Sequence, residues 1–114
     1  MSVINRNEVL ERLGGDEELY AEICELFLRD GLTMLERLRT ELAARRLEVA
    51  TRYAHSIKSM AANVGAELLA DAARLVEEAG KAADAAGMEG YLRALEETLQ
   101  AAMAELAASV AYSR

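Results

Sequence analysis

AHSIKSMAANVGA, residues 54–66, is the most informative stretch of this chain. At about 100° per residue, its apolar side chains and those just before it form one continuous stripe centred on Ile57. The stripe consists of Ala50, Tyr53, Ala54, Ile57, Met60, Ala61 and Val64. His55, the single histidine of the sequence, falls roughly 160° from the centre of the stripe. The pattern therefore predicts an amphipathic helix that holds His55 on its polar face.

The face around His55 carries small and cationic side chains rather than the usual mixture of Glu, Lys and Arg. Lys58 and Ser59 lie beside the histidine, about one turn further along the helix. Periodicity alone leaves two interpretations open. An exposed histidine is often only part of a solvated helix face, whereas an imidazole surrounded by small residues is accessible to another molecule.

This stretch resembles the signature of histidine-containing phosphotransfer (HPt) domains, roughly Ala-His-x-Leu-Lys-Gly-x-Ala-x-Asn-x-Gly-Ala. The matching positions are Ala54, His55, Ile57 (conservatively), Lys58, Ala61, Asn63, Gly65 and Ala66. The resemblance extends to residues 13–20, to Leu69 and to residues 77–78, so that it covers nearly the whole chain. Ser59 departs from the pattern, because the family favours glycine immediately after the lysine.

The resemblance implies a phosphorelay intermediate in which His55 accepts a phosphoryl group from a receiver-domain aspartate and passes it to another receiver. Lys58 would assist this transfer. The partners would be response-regulator receiver domains, with a hybrid sensor histidine kinase as a further candidate. Mg²⁺ would belong to the receiver, so that the chain itself needs no cofactor and has no ATP-binding activity. A monomeric, cytoplasmic protein is expected.

The residue types fit this chemistry. A neutral imidazole is nucleophilic near pH 7, and phosphoryl transfer through a loose transition state needs mainly alignment and charge neutralisation. Lys58 falls roughly 100° from the centre of the apolar stripe, at the edge of the exposed face. There it is expected to face the phosphoryl oxygens and to contribute less than about 0.5 kcal/mol to stability.

A docking surface is expected on the outward side of the same helix, because its middle is built from small residues that a partner groove can cover. Its predicted members are Thr51, Arg52, His55, Lys58, Ser59 and Ala62. Asn63 belongs either to this site or to the end of the helix, where capping is the favoured interpretation. Ser59 is small enough to be tolerated beneath an approaching partner.

Composition and charge restrict the alternatives. The net charge of −7 argues against nucleic acid or an anionic membrane as the partner. No apolar run reaches the roughly 20 residues of a membrane span, and no signal peptide is visible. One cysteine and one histidine cannot form a disulfide or a structural zinc site, and Cys24 is expected to be a buried thiol. Around the histidine, however, four cations stand against Glu48, a local balance of +3; they are Arg45, Arg46, Arg52 and Lys58.

The chain reads as one all-α domain spanning residues 1–114, an up-down antiparallel four-helix bundle with a short additional N-terminal helix. Asn7 is expected to cap the short helix and Asp16 the first long one. A break is expected within residues 44–47, although no Gly or Pro marks it. A loose connection is expected over residues 80–90. The apolar residues expected to face inward include Leu19, Leu26, Leu68, Leu75 and Val110.

Two other functions compete with the phosphorelay intermediate. The dimerisation and histidine phosphotransfer region of a sensor kinase also carries phosphohistidine, but there an acidic residue follows the histidine and a proline stands five positions on. Ser56 and Met60 occupy those positions here. A non-catalytic helical module that binds receivers without carrying phosphate is the second alternative. Phosphoryl uptake from a phosphorylated receiver distinguishes it from a relay protein.

Overall fold

The structure, a computed structural model, describes the backbone of residues 2–113 and the side chains of residues 2–109. It contains the helices α1 (Arg6–Arg12), α2 (Glu17–Ala43), α3 (Leu47–Val64), α4 (Glu67–Lys81) and α5 (Ala85–Ser113). Turns of two or three residues join the four long helices, so that consecutive helices run antiparallel. Helix α3 lies between α2 and α4, while α5 packs against α4 and α2. The predicted all-α bundle with a short N-terminal helix is confirmed.

The core is a continuous apolar cluster to which all five helices contribute. Small alanines of α3 and α4 let these two helices approach closely, and the larger side chains fill the remaining space. The largest fully buried side chains are Phe27, Leu35, Leu38, Ile57, Leu69, Met88, Leu95, Leu99 and Leu106. Cys24 is buried among them, as expected. Within the described residues, no helix is long and apolar enough to cross a membrane.

The start of the bundle differs from the prediction in one cap and agrees in another. Helix α1 begins at Arg6 because the side chain of Asn5 accepts a hydrogen bond from the backbone of Glu8. The predicted cap at Asn7 is therefore wrong, and the cap lies two residues earlier, where the backbone N–H of Asn5 also donates to the carbonyl of Gly65 at 2.8 Å. Asp16 caps α2 as predicted, accepting from the backbone of Leu19 at 3.0 Å.

The break between α2 and α3 is confirmed, and its cause is a left-handed residue. Arg45 adopts a φ of 59°, a conformation that costs about 1 kcal/mol for a residue other than glycine. The turn is closed by the backbone N–H of Arg46, which donates to the carbonyl of Glu41 at 2.9 Å. The side chain of Arg45 adds a bond to the carbonyl of Leu42 at 2.9 Å. Arg45 thus occupies the position that glycine usually takes after a helix, and the side-chain and backbone bonds satisfy the last carbonyls of α2.

Two expectations, one about a connection and one about inward-facing leucines, were wrong. The predicted loose connection over residues 80–90 is a turn of only three residues, because α4 continues to Lys81 and α5 begins at Ala85. Asp84 initiates α5 by accepting a hydrogen bond from the backbone of Gly87 at 2.9 Å. Three leucines expected inside are 39–58% exposed: Leu19, Leu26 and Leu68. Leu75 is partly buried, and the side chain of Val110 lies outside the described residues.

Candidate functional site

His55 projects from the middle of α3, and its side chain is 58% exposed. The opposite face of α3 is buried, as the periodicity predicted, through Ala50, Ala54, Ile57, Ala61 and Val64. The helix is therefore fixed by its apolar stripe, and its polar face is held towards solvent. The structure places the histidine where the sequence analysis expected it.

The end of α3 is anchored independently of the site. Gly65 adopts a left-handed φ of 86°, and a Cβ there would lie 2.7 Å from the carbonyl oxygen of Asn5. The hydroxyl of Tyr20 donates a buried hydrogen bond to the carbonyl of Val64 at 3.0 Å. These contacts fix the last turn of α3 and therefore the orientation of the face that carries His55.

Glu77, on α4, is the partner of the histidine. Its Oε2 lies 2.7 Å from Nδ1 of His55, and its Oε1 lies 2.6 Å from the ammonium of Lys58. A second ammonium, that of Lys81, lies 3.5 Å from Oε2. The carboxylate itself is only 4% exposed. One buried carboxylate thus joins the histidine and two lysines.

The charge of Glu77 is maintained by these partners. Burial by itself raises the pKa of the carboxyl, but the hydrogen bonds from Lys58 and His55 and the positive charge of the lysine outweigh that effect. The net result is a pKa lowered to about 2. The group is therefore an ionised carboxylate at neutral pH, which can accept hydrogen bonds but cannot donate one.

This arrangement determines which nitrogen of the imidazole carries the proton. Because the carboxylate only accepts, Nδ1 of His55 must donate to it. In the neutral ring the other nitrogen, Nε2, then holds the free lone pair. The structure therefore presents an exposed imidazole whose Nε2 is the nucleophilic atom.

Lys58 differs from the expectation in one respect. Its side chain is 31% exposed and its ammonium pairs with Glu77, so it is not a freely projecting surface cation. Removing it takes a counter-ion from a buried carboxylate, which costs more than the loss of a surface charge. We therefore expect Lys58 to contribute more to stability than an unpaired surface lysine does, and the size of that contribution stays a prediction.

The comparison with protein families agrees with this geometry. The model of the Hpt domain family matches residues 22–109, which include His55, Lys58 and Glu77. The chain belongs to the Hpt family. Hpt domains take part in histidine phosphotransfer in two-component systems, where they interact with receiver domains and kinases. Searches of curated proteins and of solved structures find no significant match. Residues 13–20 precede the matched region, and their resemblance to the family stays a prediction.

The predicted docking surface of this Hpt domain is largely exposed. Arg52, Ser59 and Ala62 are exposed on α3 beside His55. Thr51 is only partly exposed, because it lies at the margin of the surface, against Gly80 of α4. Whether these residues bind a partner stays a prediction.

Asn63 does not cap α3. The helix ends through the left-handed Gly65, whose backbone N–H bonds to carbonyls of the last turn. The side chain of Asn63 is exposed, and no described residue forms a hydrogen bond with it. The capping interpretation is therefore wrong, and a role for Asn63 at the docking surface remains a prediction.

The local excess of positive charge is smaller in the Hpt fold than in the sequence. Arg45 pairs with Glu89 at 2.7 Å, Arg46 pairs with Glu41, and Lys58 pairs with Glu77. Carboxylates of three other helices thus compensate cations that are neighbours along the chain. Arg52 has no ion-pair partner among the side chains of residues 2–109, so it is the cation of this segment most available to an acidic partner.

Glu77 is the site residue that the sequence analysis missed, although the sequence carried a signal for it. At about 100° per residue, Glu77 falls within about 80° of the buried side of α4, whereas Glu78 faces away. Ala73 and Val76 on that side are fully buried. A glutamate bordering an apolar stripe predicts a buried polar contact, but periodicity does not identify the partner.

Proposed function

We propose that this Hpt domain is a phosphorelay intermediate in which His55 is the phosphoryl acceptor. The supporting observation is the hydrogen bond between Nδ1 of His55 and the ionised Glu77, because it leaves Nε2 unprotonated on an exposed ring. The non-catalytic alternative gives no reason for a buried carboxylate that orients an exposed imidazole.

In the proposed step, the lone pair of Nε2 attacks the phosphorus of an aspartyl phosphate on a receiver domain. The N–P bond forms as the bond from phosphorus to the aspartate oxygen breaks, and that oxygen leaves with the electron pair. The ring keeps its proton on Nδ1 and gains a positive charge, which the carboxylate of Glu77 offsets. Transfer to a second receiver reverses these changes.

The catalytic contributions are divided between the two proteins. Lys58, held 2.6 Å from Glu77, lies one turn from His55, where it can reach the phosphoryl oxygens. The receiver supplies Mg²⁺ and its own aspartate. This chain supplies an aligned nucleophile, one cation and a docking face, and it has no part in ATP chemistry.

The docking face is proposed to consist of Arg52, Ser59 and Ala62, with Thr51 at one margin and Asn63 at the far end. Their exposure and mostly small size permit close approach. Arg52 favours encounter with an acidic surface. The net charge of −7 and the buried thiol of Cys24 support a monomer in the cytoplasm that binds neither nucleic acid nor membranes.

A phosphorylated receiver tests the proposal directly. Purified protein is incubated with receivers phosphorylated by acetyl phosphate, and uptake is followed by intact mass and ³¹P NMR. We expect an acid-labile, base-stable adduct on Nε2 of His55 and none on the His55→Gln variant. Uptake by His55→Gln equal to that of the native protein would show that another residue is the acceptor.

A further inference from the structure

Gly80 occupies the last turn of α4, where its backbone conformation does not require glycine. It lies inside the helix Glu67–Lys81, and a glycine there costs about 1 kcal/mol relative to alanine. The reason for its presence is a close approach between two helices. A Cβ on Gly80 would lie 1.9 Å from Oγ1 of Thr51, a distance that packed atoms do not reach, and 3.0 Å from both Cβ of Thr51 and Cε of Met88.

Thr51 is not free to move away from Gly80. Its hydroxyl donates to the carbonyl of Leu47 at 2.6 Å, and a β-branched side chain in a helix has few alternative rotamers. Gly80 therefore allows α3 and α4 to come together at this level of the bundle, and Thr51 marks the limit of their approach.

This contact lies next to the proposed phosphoryl acceptor. Thr51 precedes His55 by one turn on α3, and Gly80 follows Glu77 by just under one turn on α4. The two helices are antiparallel neighbours. A change in their separation at Thr51 and Gly80 therefore also changes their separation one turn away, at His55 and Glu77. Nδ1 and Oε2 are 2.7 Å apart, so moving them less than about 1 Å further apart takes the distance beyond the normal hydrogen-bond range.

We propose that Gly80 is a positioning residue for phosphoryl transfer: by letting α4 lie directly against Thr51, it brings the carboxylate of Glu77 within hydrogen-bond distance of Nδ1 of His55. This inference rests on the proposed function, since it concerns the same histidine. Gly80 acts through Glu77 and touches neither phosphate nor partner. Its role is to keep the imidazole in the tautomer whose Nε2 is nucleophilic.

The test is the Gly80→Ala variant, read by the tautomer of His55 as well as by phosphoryl uptake. The protein is labelled with ¹⁵N at histidine, and long-range ¹H–¹⁵N correlation spectra are recorded at a pH at which the ring is neutral. These spectra distinguish a proton on Nδ1 from one on Nε2. We expect the native protein to carry it on Nδ1. In Gly80→Ala we expect a mixture with Nε2–H, and uptake from a phosphorylated receiver about tenfold slower, the lower end of the effect of losing an orienting partner.

Two controls separate positioning from a general effect of replacing a helical glycine. Gly90 lies within α5, and a Cβ there would meet nothing within 4 Å, so that Gly90→Ala should keep the native tautomer and rate. In the double variant Thr51→Ala/Gly80→Ala the closest contact is removed. We expect it to regain the Nδ1–H tautomer and most of the uptake rate, measured against Thr51→Ala alone.

The outcomes are distinct. A folded Gly80→Ala protein with the native tautomer overturns the inference. If Gly80→Ala does not fold, Thr51→Val decides. The methyl that replaces the hydroxyl is larger than the oxygen and cannot bond to the carbonyl of Leu47, so it should crowd Gly80 from the α3 side and shift the tautomer in the same direction. An unshifted tautomer overturns the inference. If the tautomer responds as expected but native protein takes up no phosphate, the positioning stands and the proposed function fails.

Discussion

Nδ1 of His55 lies 2.7 Å from Oε2 of Glu77, although the two residues are 22 positions apart and belong to different helices. The histidine is exposed and the carboxylate is buried. The pair therefore combines an accessible nucleophile with an orienting group that solvent does not reach.

Replacing Glu77 with glutamine should slow phosphoryl uptake about 10- to 100-fold, in the range observed when an orienting partner is lost. The amide can donate a hydrogen bond to Nδ1, which favours the tautomer with the proton on Nε2 and blocks the nucleophile. Single-turnover uptake from a phosphorylated receiver measures the effect. Glu78→Gln is the matched control, because Glu78 is 57% exposed and forms its ion pair with Arg74 rather than with the site. Native rates in Glu77→Gln would refute the orienting role.

The lowered pKa of Glu77 predicts a specific pH dependence of stability. The carboxyl titrates at 4.5 when unfolded and at about 2 when folded, so the unfolded state binds more protons between these values. The stabilisation is complete above about pH 5 and is lost as pH falls towards 2. Its size is at most about 3 kcal/mol, reduced by solvent screening at the exposed partners. Urea unfolding should show the difference between native protein and Glu77→Gln shrinking through this window, and a constant difference would contradict the assignment.

Lys58→Ala should slow transfer and also destabilise the fold by about 1–2 kcal/mol. The cost is below the 3–5 kcal/mol of breaking a fully buried pair, because Lys58 is 31% exposed and Lys81 remains near the carboxylate. Lys81→Ala is the control. That lysine is 66% exposed and 3.5 Å away, so its loss should cost less than about 0.5 kcal/mol. Equal effects of the two substitutions in thermal unfolding would argue against a special role for Lys58.

Ser59→Gln tests whether a receiver approaches over α3. The longer side chain adds bulk one turn from His55 at an exposed position, so receiver binding and transfer should weaken while the melting temperature stays unchanged. Ser59→Gly should match or exceed the native rate. Ala104→Gln, an exposed substitution on α5, controls for added bulk elsewhere. Full-speed transfer by Ser59→Gln would place the docking surface on another face.

Tyr20→Phe should cost about 1–1.5 kcal/mol, because it removes the donor of a buried hydrogen bond to the carbonyl of Val64. Tyr91→Phe, at a residue that is 43% exposed, should be nearly neutral. Denaturant unfolding compares the two variants. A neutral Tyr20→Phe would show that the end of α3 does not depend on this bond.

The parts of the molecule that the sequence predicted are those governed by local patterns. The buried stripe of α3 follows from helical periodicity, and the cap at Asp16 follows from a side chain acting three residues away. Family resemblance supplied the break near Arg45, because the left-handed residue there is an arginine that no turn rule selects.

The parts that the sequence did not predict depend on contacts between helices. The pairing of Lys58 with Glu77 joins α3 to α4, and no spacing along the chain encodes it. The alanine-rich residues 80–90 contain three glycines, a composition that predicts a loose connection. Most of them are helical because Met88 is fully buried and the cap at Asp84 begins α5, so that tertiary packing outweighs the low helix propensity of glycine.

His55 and Glu77 lie on successive helices, and this limits how small a phosphate-accepting fragment of this protein can be. A synthetic peptide with the sequence of α3 would contain the histidine, Lys58 and the predicted docking residues, but its imidazole would lack the acceptor that holds the proton on Nδ1. Such a peptide could compete for a receiver while remaining a poor substrate. In the proposed mechanism, the smallest unit that can accept phosphate is the hairpin of α3 and α4 with its two-residue turn. Such a hairpin would need a source of stability that replaces the packing of the missing helices.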